Sequence, residues 1–342
     1  MKESASLDAV PPLLVGLTYN LKSNVKAEVE DEEAEYDSFD TVLAIKQALE
    51  YENCRVELLE ADNQLPAKLL EYKFDIVFNI AEGIVGRGRE AQVPAILNYC
   101  RIPYTGSDET TLCIALDKAL TKRLLTAYRI RTPRYRVISK EQKSWSGAFV
   151  FPAIVKPNAE GSSKGISDVA IAADAAELRN LVFRNIDLYH QDMLVEEYIG
   201  GREFTVGVLG NGSDARVFSP MEIIYLDKKS KYSVYSYTVK QNYKKLIRYE
   251  CPAALSAETE AEMMRTARRI FDILSCRDFA RIDFRLSPEN KLYFIEINPL
   301  PGLAPGYSDY PMLAAFNGMD YTALVRGVLQ SALKRYGLAS YR

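Results

Sequence analysis

RIDFRLSPENKLYFIEIN, residues 281–298, alternates apolar and polar side chains on both sides of a Ser-Pro-Glu-Asn break, the pattern of a β-hairpin. Period-two alternation sets Arg281, Asp283 and Arg285 on one face and Ile282, Phe284 and Leu286 on the other. With Ser287–Asn290 as the turn, Asp283 is expected opposite Phe294, with Glu296 two residues along the same face and Asn298 beyond the strand end. Diagonal cross-strand neighbours lie about 7–8 Å apart, so a Mg²⁺ with bonds of about 2.0–2.1 Å can be shared between these side chains. Leu292 and Phe294 are expected on the face of Glu296. The acids would then stand against an apolar floor, where carboxylates need partners. The competing reading is a structural ion-pair ladder on a solvated face.

Around the hairpin the chain reads as strand-helix alternation. LLVGLTY (13–19), RVELLEA (55–61) and FDIVFNI (74–80) are strand candidates. Ser38 caps a helix carrying Val42, Ile45 and Leu49, and Asp108 precedes a stripe of Leu112, Ala115, Leu116, Ala119 and Leu120. This part is expected to be an α/β unit on a parallel sheet. After the extended joint RTPRYRVIS (131–139) come FPAIVKP, a Gly/Ser-rich loop, a helix with the capping pair Asp174 and Glu177, and strands MLVEEYI and EFTVGVLG. A helix from about Ser256 bears Met263, Ala267, Ile270, Phe271 and Leu274 on one face and leads into the hairpin. The expected division is residues 1–120, 121–210 and 211–342.

Composition removes several classes of function. Forty-three basic against 46 acidic side chains leave a net charge of −3, which offers no general attraction to nucleic acid or anionic lipid. No apolar run is long enough to span a membrane, and the start does not read as a signal peptide. Five cysteines without CxxC spacing fit reduced thiols and a cytoplasmic setting. His190 is the only histidine, so a zinc site with several His ligands is excluded, and its surroundings read as a surface connection. Seven acids in AEVEDEEAEYD (27–37) read as a solvated stretch ahead of a helix.

Two further stretches carry chemistry. In VKPNAEGSSKG (155–165) a strand delivers Lys156, and Gly161, Ser162 and Ser163 offer backbone N–H groups and hydroxyls to an anion. No Gly-Lys-Ser/Thr opens a helix there, so this is not a Walker loop. In LVEEYIGGREFTV (194–206), Glu196, Glu197, Tyr198, Ile199 and Glu203 surround a Gly-Gly turn and could border a purine and a ribose.

Taken with IPYTGSD (102–108), LDKALTK (116–122), CPAAL (251–255) and EINPLPG (296–302), these stretches resemble the D-alanine–D-alanine ligase family of ATP-grasp enzymes, in order and spacing from about residue 75 to 330. The resemblance implies an ATP-grasp fold with an N-terminal parallel-sheet domain, a central lid and a C-terminal subdomain. It implies an ATP-dependent ligase joining two amino acids through an acyl phosphate. ATP phosphates would be held by Lys118, Lys156 and the 161–165 loop. Glu196, Glu197, Tyr198 and Ile199 would border the adenine, and Glu203 the ribose. Asp283, Glu296 and Asn298 would bind two Mg²⁺, or Mn²⁺ in their place. Arg281 and the Gly302 backbone would stabilise the oxyanion, with Ser162 and Lys240 as further catalytic groups, and Ser308 would meet the acceptor's carboxylate. A homodimer is implied as well.

The departures from the family pattern cluster where amino acids bind. The Gly-rich first loop is replaced by LTYNLKSNVK, and the His-Gly motif by NIAEGIVGRGREAQ (79–92), which brings Glu82, Arg87 and Arg89 as substrate-binding candidates. The family's loop tyrosine aligns with Gln241, with Tyr237 and Tyr243 nearby, and a leucine becomes Asp309. A buried Asp309 beside a substrate carboxylate needs a partner. It implies either an acceptor bearing an amine or hydroxyl, or a helix N-cap. Two alternatives stand beside the amino-acid ligase: a ligase of a specialised pathway, and a non-catalytic ATP-binding regulator.

Overall fold

The computed structural model describes residues 12–22, 36–142, 144–145, 147–161, 170–226 and 232–338. Ser162, Ser163 and most of the acidic stretch 27–37 lie outside the described residues.

Three strands, β1 (Leu13–Tyr19), β2 (Cys54–Glu60) and β3 (Ile76–Asn79), form a parallel sheet in the order β2-β1-β3. Helix Phe39–Tyr51 packs on it by the face that carries Val42, Ile45 and Leu49, and Ser38 caps it by accepting from the Thr41 N–H. The stripe after Asp108 is broken into two helices, Glu109–Leu116 and Lys118–Ala127. The break is at Asp117, whose carboxylate accepts from the Leu120 N–H and starts a new helix. It places Lys118 at the first position of that helix instead of mid-stripe.

The central antiparallel sheet, in the order β4-β7-β5-β6, consists of β4 (Tyr135–Ile138), β5 (Ala153–Pro157), β6 (Ile171–Ala172) and β7 (Met193–Glu197). Helix Ala175–Tyr189 covers one face and ends at His190, an exposed residue in the left-handed conformation that terminates the helix.

The C-terminal antiparallel sheet holds β8 (Arg202–Leu209), β9 (Arg216–Val217), β10 (Met221–Tyr225), β11 (Ile247–Glu250), β12 (Phe279–Leu286) and β13 (Leu292–Asn298). Its order is β11-β10-β8-β12-β13, with β9 on β8. β8, grouped with the central segment by a boundary at 210, pairs along its whole length with β12. The sheets change at the Gly200-Gly201 turn. Gly201 has φ +98°, and a Cβ there would lie 2.2 Å from the Leu286 carbonyl oxygen, so only glycine fits. Helix Ala257–Ile273 buries Met263, Ala267, Ile270 and Phe271 against this sheet.

The hairpin register differs from the expected one. The connection runs from Ser287 to Lys291, with Leu286 opposite Leu292, and a bulge at Ile295 brings Asp283 directly opposite Glu296. One extra residue reverses which face each later side chain takes. Leu292 and Phe294 therefore lie in the core with Phe284, and do not form a floor under Glu296. No helix among the described residues is long and apolar enough to cross a membrane.

Candidate active site

Two cavities meet at the hairpin. The larger, about 400 Å³, is lined by Asn298, Gly302, Ser308 and Asp309 from the C-terminal part and by Asp37 and Glu82 from the N-terminal part. The smaller, about 80 Å³, lies between the two antiparallel sheets against Lys156, Glu196, Ile199, Glu203, Asp283 and Glu296. Arg281 and Lys240 line both.

Arg281 is the hinge of this arrangement. It donates from Nε to Asp283 Oδ1 (3.1 Å) and from Nη2 to Asp283 Oδ2 (3.0 Å), while Nη1 faces Asp309 Oδ2 at 3.5 Å. Thr205 donates to Asp283 Oδ1 at 2.6 Å. Glu296, across the hairpin, faces Lys118 Nζ at 3.5 Å. Asn298 accepts from the Leu300 N–H at 3.0 Å. Two carboxylates and one carboxamide are hard oxygen donors, a set that suits Mg²⁺ when phosphate oxygens complete the shell. Among the described residues no group of three or more His, Cys, Asp or Glu side chains is assembled into a metal cage.

Under the smaller cavity lies a buried cluster with one anion and two cations. Glu196, 2% exposed, faces Lys156 at 2.7 Å and Lys122 at 2.9 Å. Its Oε1 meets Lys122 as an ion pair without a well-angled hydrogen bond. Lys122, completely buried, donates to the Ile295 carbonyl at 2.6 Å, at the bulge itself. Burial pulls Lys122 down to about 8 against the pull of Glu196. Lys122 stands in LDKALTK, but its part was not read from sequence; the signal was a lysine one helical turn after Lys118 within an apolar stripe. Arg285 was likewise missed as an organiser. It donates to the Ile199 carbonyl (2.7 Å), the Ser233 carbonyl (2.6 Å) and Glu203 (2.6 Å). Tyr225 donates to the same Glu203 oxygen at 2.6 Å. Tyr198, whose hydroxyl bonds Ser233, lies beside Arg285, and Glu197 joins it on the cavity wall. Lys118 also donates to the Glu160 carbonyl, next to Gly161.

The arginines of the 79–92 stretch go elsewhere. Arg87, 73% exposed, donates to Asp117 at 2.8 Å. Buried Arg89 pairs with Glu160 and donates to the Ala159 carbonyl. Both arginines bind other parts of the chain, and neither lines these two cavities; of that stretch Glu82 does. Of the candidates for the loop tyrosine, Gln241 donates to Tyr307 and Tyr243 donates to the Gly306 carbonyl, while the Tyr237 side chain lies outside the described residues.

A model of the D-alanine–D-alanine ligase C-terminus matches residues 126–330. The D-alanine–D-alanine ligase of Aquifex aeolicus is 34% identical over 294 residues, 84% of this chain and 93% of that protein. The chain belongs to the D-alanine–D-alanine ligase family. It is an ATP-dependent carboxylate–amine ligase. The ATP-grasp fold expected from the sequence is shared with a D-alanine–D-alanine ligase of Bacillus anthracis solved with ATP (TM-score 0.74, 21% identity, covering 95% of this chain and 98% of that one). It is shared too with the VanG D-Ala:D-Ser ligase of Enterococcus faecalis (TM-score 0.72, 19% identity, 94% and 99%).

Two expectations follow for this ligase. Burial opposes the charge on Glu296, but Lys118, then Lys156, Arg281 and Lys122, outweigh it and bring the group down to about 2 from 4.5. Between those values the unfolded chain binds more protons, so stability rises with pH there. The contribution of Glu296 is complete above about 4.5 and is lost as pH falls toward about 2. Asp283 moves the other way, pushed up by burial and the Glu296 charge despite Arg281. The stability gap between wild type and Glu296→Gln should be flat from pH 7 to about 5 and narrow below about 4.5. Thermal melts across that range measure it, and a gap that widens in acid would contradict the assignment. The second concerns Gly302, where a Cβ would lie 2.9 Å from Ser308 Oγ. Gly302→Ala should displace Ser308 and, with Ser308 at the acceptor's carboxylate as the resemblance implies, raise KM for one amino acid roughly tenfold, the scale of one hydrogen bond. ATP binding should stay unchanged; an unaltered KM would remove Ser308 from substrate binding.

Proposed function

We propose that this ligase joins two amino acids, with ATP converting the carboxylate of the first into an acyl phosphate that the amine of the second attacks. The observation that carries this reading is Arg281, which with Lys240 lines both cavities and is bonded to Asp283. In this reading the smaller cavity takes the nucleotide, with Ile199 and Glu203 at the base and ribose and Lys118 and Lys156 toward the phosphates. Lys240 and Gly161 would lie toward the phosphates, and Ser162 and Ser163, outside the described residues, are carried over from the resemblance as further contacts there. The larger cavity takes the amino acids, the acceptor carboxylate lying at Ser308 and the Gly302 backbone.

Mg²⁺ held by Asp283, Glu296 and Asn298 would supply charge neutralisation at the phosphates. Arg281 would donate to the oxygen that becomes negative in the tetrahedral intermediate, before phosphate leaves and the amide remains. Phosphoryl transfer needs positioned cations above all, and the site offers lysines and an arginine without a histidine. A homodimer, taken from the family resemblance, and a cytoplasmic setting, taken from the cysteine pattern, complete the proposal.

A second reading, a larger amino acid or another amine in place of alanine, is favoured by one observation. Glu82, from the stretch that stands in place of the family's His-Gly motif, lines the larger cavity.

The test is ADP release with Mg²⁺-ATP across single and paired D- and L-amino acids, with products identified by mass. Dipeptide from D-alanine supports a cell-wall type of ligase. Turnover only with another pair supports the second reading. ATP binding without turnover for any pair would instead favour a regulator.

A further inference from the structure

We infer that Asp309 is a positioning residue that ties Arg281 to the loop bordering the nucleotide cavity, and is not a ligand for a substrate amine. Asp309 is 2% exposed, at the first turn of helix Asp309–Phe316, where negative charge is favourable. Its Oδ1 accepts from Tyr235 at 3.0 Å and from Tyr249 at 2.9 Å, and the two phenol oxygens are 2.7 Å apart. Its Oδ2 faces Arg281 Nη1 at 3.5 Å. The partner that a buried carboxylate requires is thus supplied from within the chain three times over, and no substrate amine is needed to justify the charge.

The geometry says what the contacts accomplish. Arg281 is gripped along one edge by Asp283 and on Nη1 by Asp309, so its plane is set from both sides. Tyr235 lines the nucleotide cavity beside Val234, whereas Tyr249 belongs to the edge strand β11. One carboxylate therefore links the helix that follows the amino-acid cavity, a sheet edge, the 232–236 stretch and the arginine between the cavities. Burial, then the Asp309 charge, push both phenols above their ordinary range, so they stay protonated donors.

This inference rests on the ligase reading, and binding of ATP with Mg²⁺ in the absence of any amino acid separates the two. Asp309→Asn and Tyr235→Phe should each weaken ATP binding by about fivefold, the scale of one net hydrogen bond. The double variant should be no weaker than the worse single one, because both changes cut the same link. With the best amino-acid pair, kcat should fall while the amino-acid KM values hold. Should Asp309→Asn fail to fold, Tyr235→Phe carries the same measurement, since it removes only the hydroxyl that meets Asp309. Unchanged ATP binding in the variants with a raised KM for one amine substrate would overturn the inference and restore Asp309 as a substrate ligand. Multiplying effects in the double variant would also overturn it. Wild-type protein that does not bind ATP would overturn the ligase reading itself and this inference with it.

Discussion

Arg281→Lys should lower kcat by about 100- to 1,000-fold, the usual effect of removing a donor aimed at a developing oxyanion, and leave ATP binding within a few fold. Lysine keeps the positive charge between Asp283 and Asp309, so neither buried carboxylate is abandoned. It loses the planar fork that meets Asp283 through Nε and Nη2 together. A point charge on a flexible stem can neutralise the site but cannot hold a donor in one direction. Arg281→Met makes the comparison that separates charge from geometry. It leaves Asp283 and Asp309 without their shared cation, and stability should fall by about 3–5 kcal/mol, as when one partner of a buried pair is removed. Steady-state kinetics, ATP titration and thermal melts of the two variants read these effects. A lysine variant within tenfold of wild-type turnover would remove Arg281 from the chemistry and leave it a structural residue.

The parts of this site that could be read from the sequence are those whose evidence is local. Ser38, Asp108 and Ser256 cap helices where a polar residue precedes an apolar stripe. The bulge at Ile295 sets Glu296 opposite Asp283, where strict alternation would keep it on the face of Phe294. The hairpin and its acids were legible all the same, because the apolar-polar pattern marks both strands. The register was not, since Leu292, Phe294 and Ile297 satisfy either pairing until Ile295 is known to bulge, and what marks Ile295 is the Lys122 ammonium, 173 residues away. Asp117 could have been recognised as a cap within the stripe, but a continuous apolar pattern hides a break that keeps the same face buried. Asp309 illustrates the deeper limit. Its charge looked like a demand on the substrate because its three partners come from residues 235, 249 and 281, and no local pattern pairs them. Arg87 and Arg89 show the same limit from the other side: each meets an internal acid, Asp117 and Glu160, that no local pattern pairs with it.

Asp278→Ala should be the most destabilising single change outside the cavities. Asp278 has no exposed surface and sits at φ +66°. Its Oδ2 accepts from the Gly106 N–H (2.8 Å) and Arg335 Nη2 (2.7 Å), and its Oδ1 from Asn211 (2.7 Å) and Arg335 Nε (3.2 Å). Arg335, at the end of helix Tyr321–Arg335, also donates to the Tyr104 carbonyl. One carboxylate thus joins the stretch after the parallel sheet, the turn after β8 and the last helix. Alanine would leave the Gly106 N–H without its acceptor and the Arg335 guanidinium without its carboxylate, with backbone carbonyls left to meet it, and it tolerates the left-handed backbone less well than aspartate does. The expected loss is about 3–5 kcal/mol, which corresponds to a fall in Tm on the order of 10 °C. Asp278→Asn distinguishes the causes, because asparagine accepts the same backbone and one oxygen still faces the donors. Its fall should be roughly half as large. Equal falls for the two variants would assign the whole effect to lost charge. A shift under about 3 °C for alanine would mean that solvent replaces the carboxylate and that this junction between the parts of the chain opens readily.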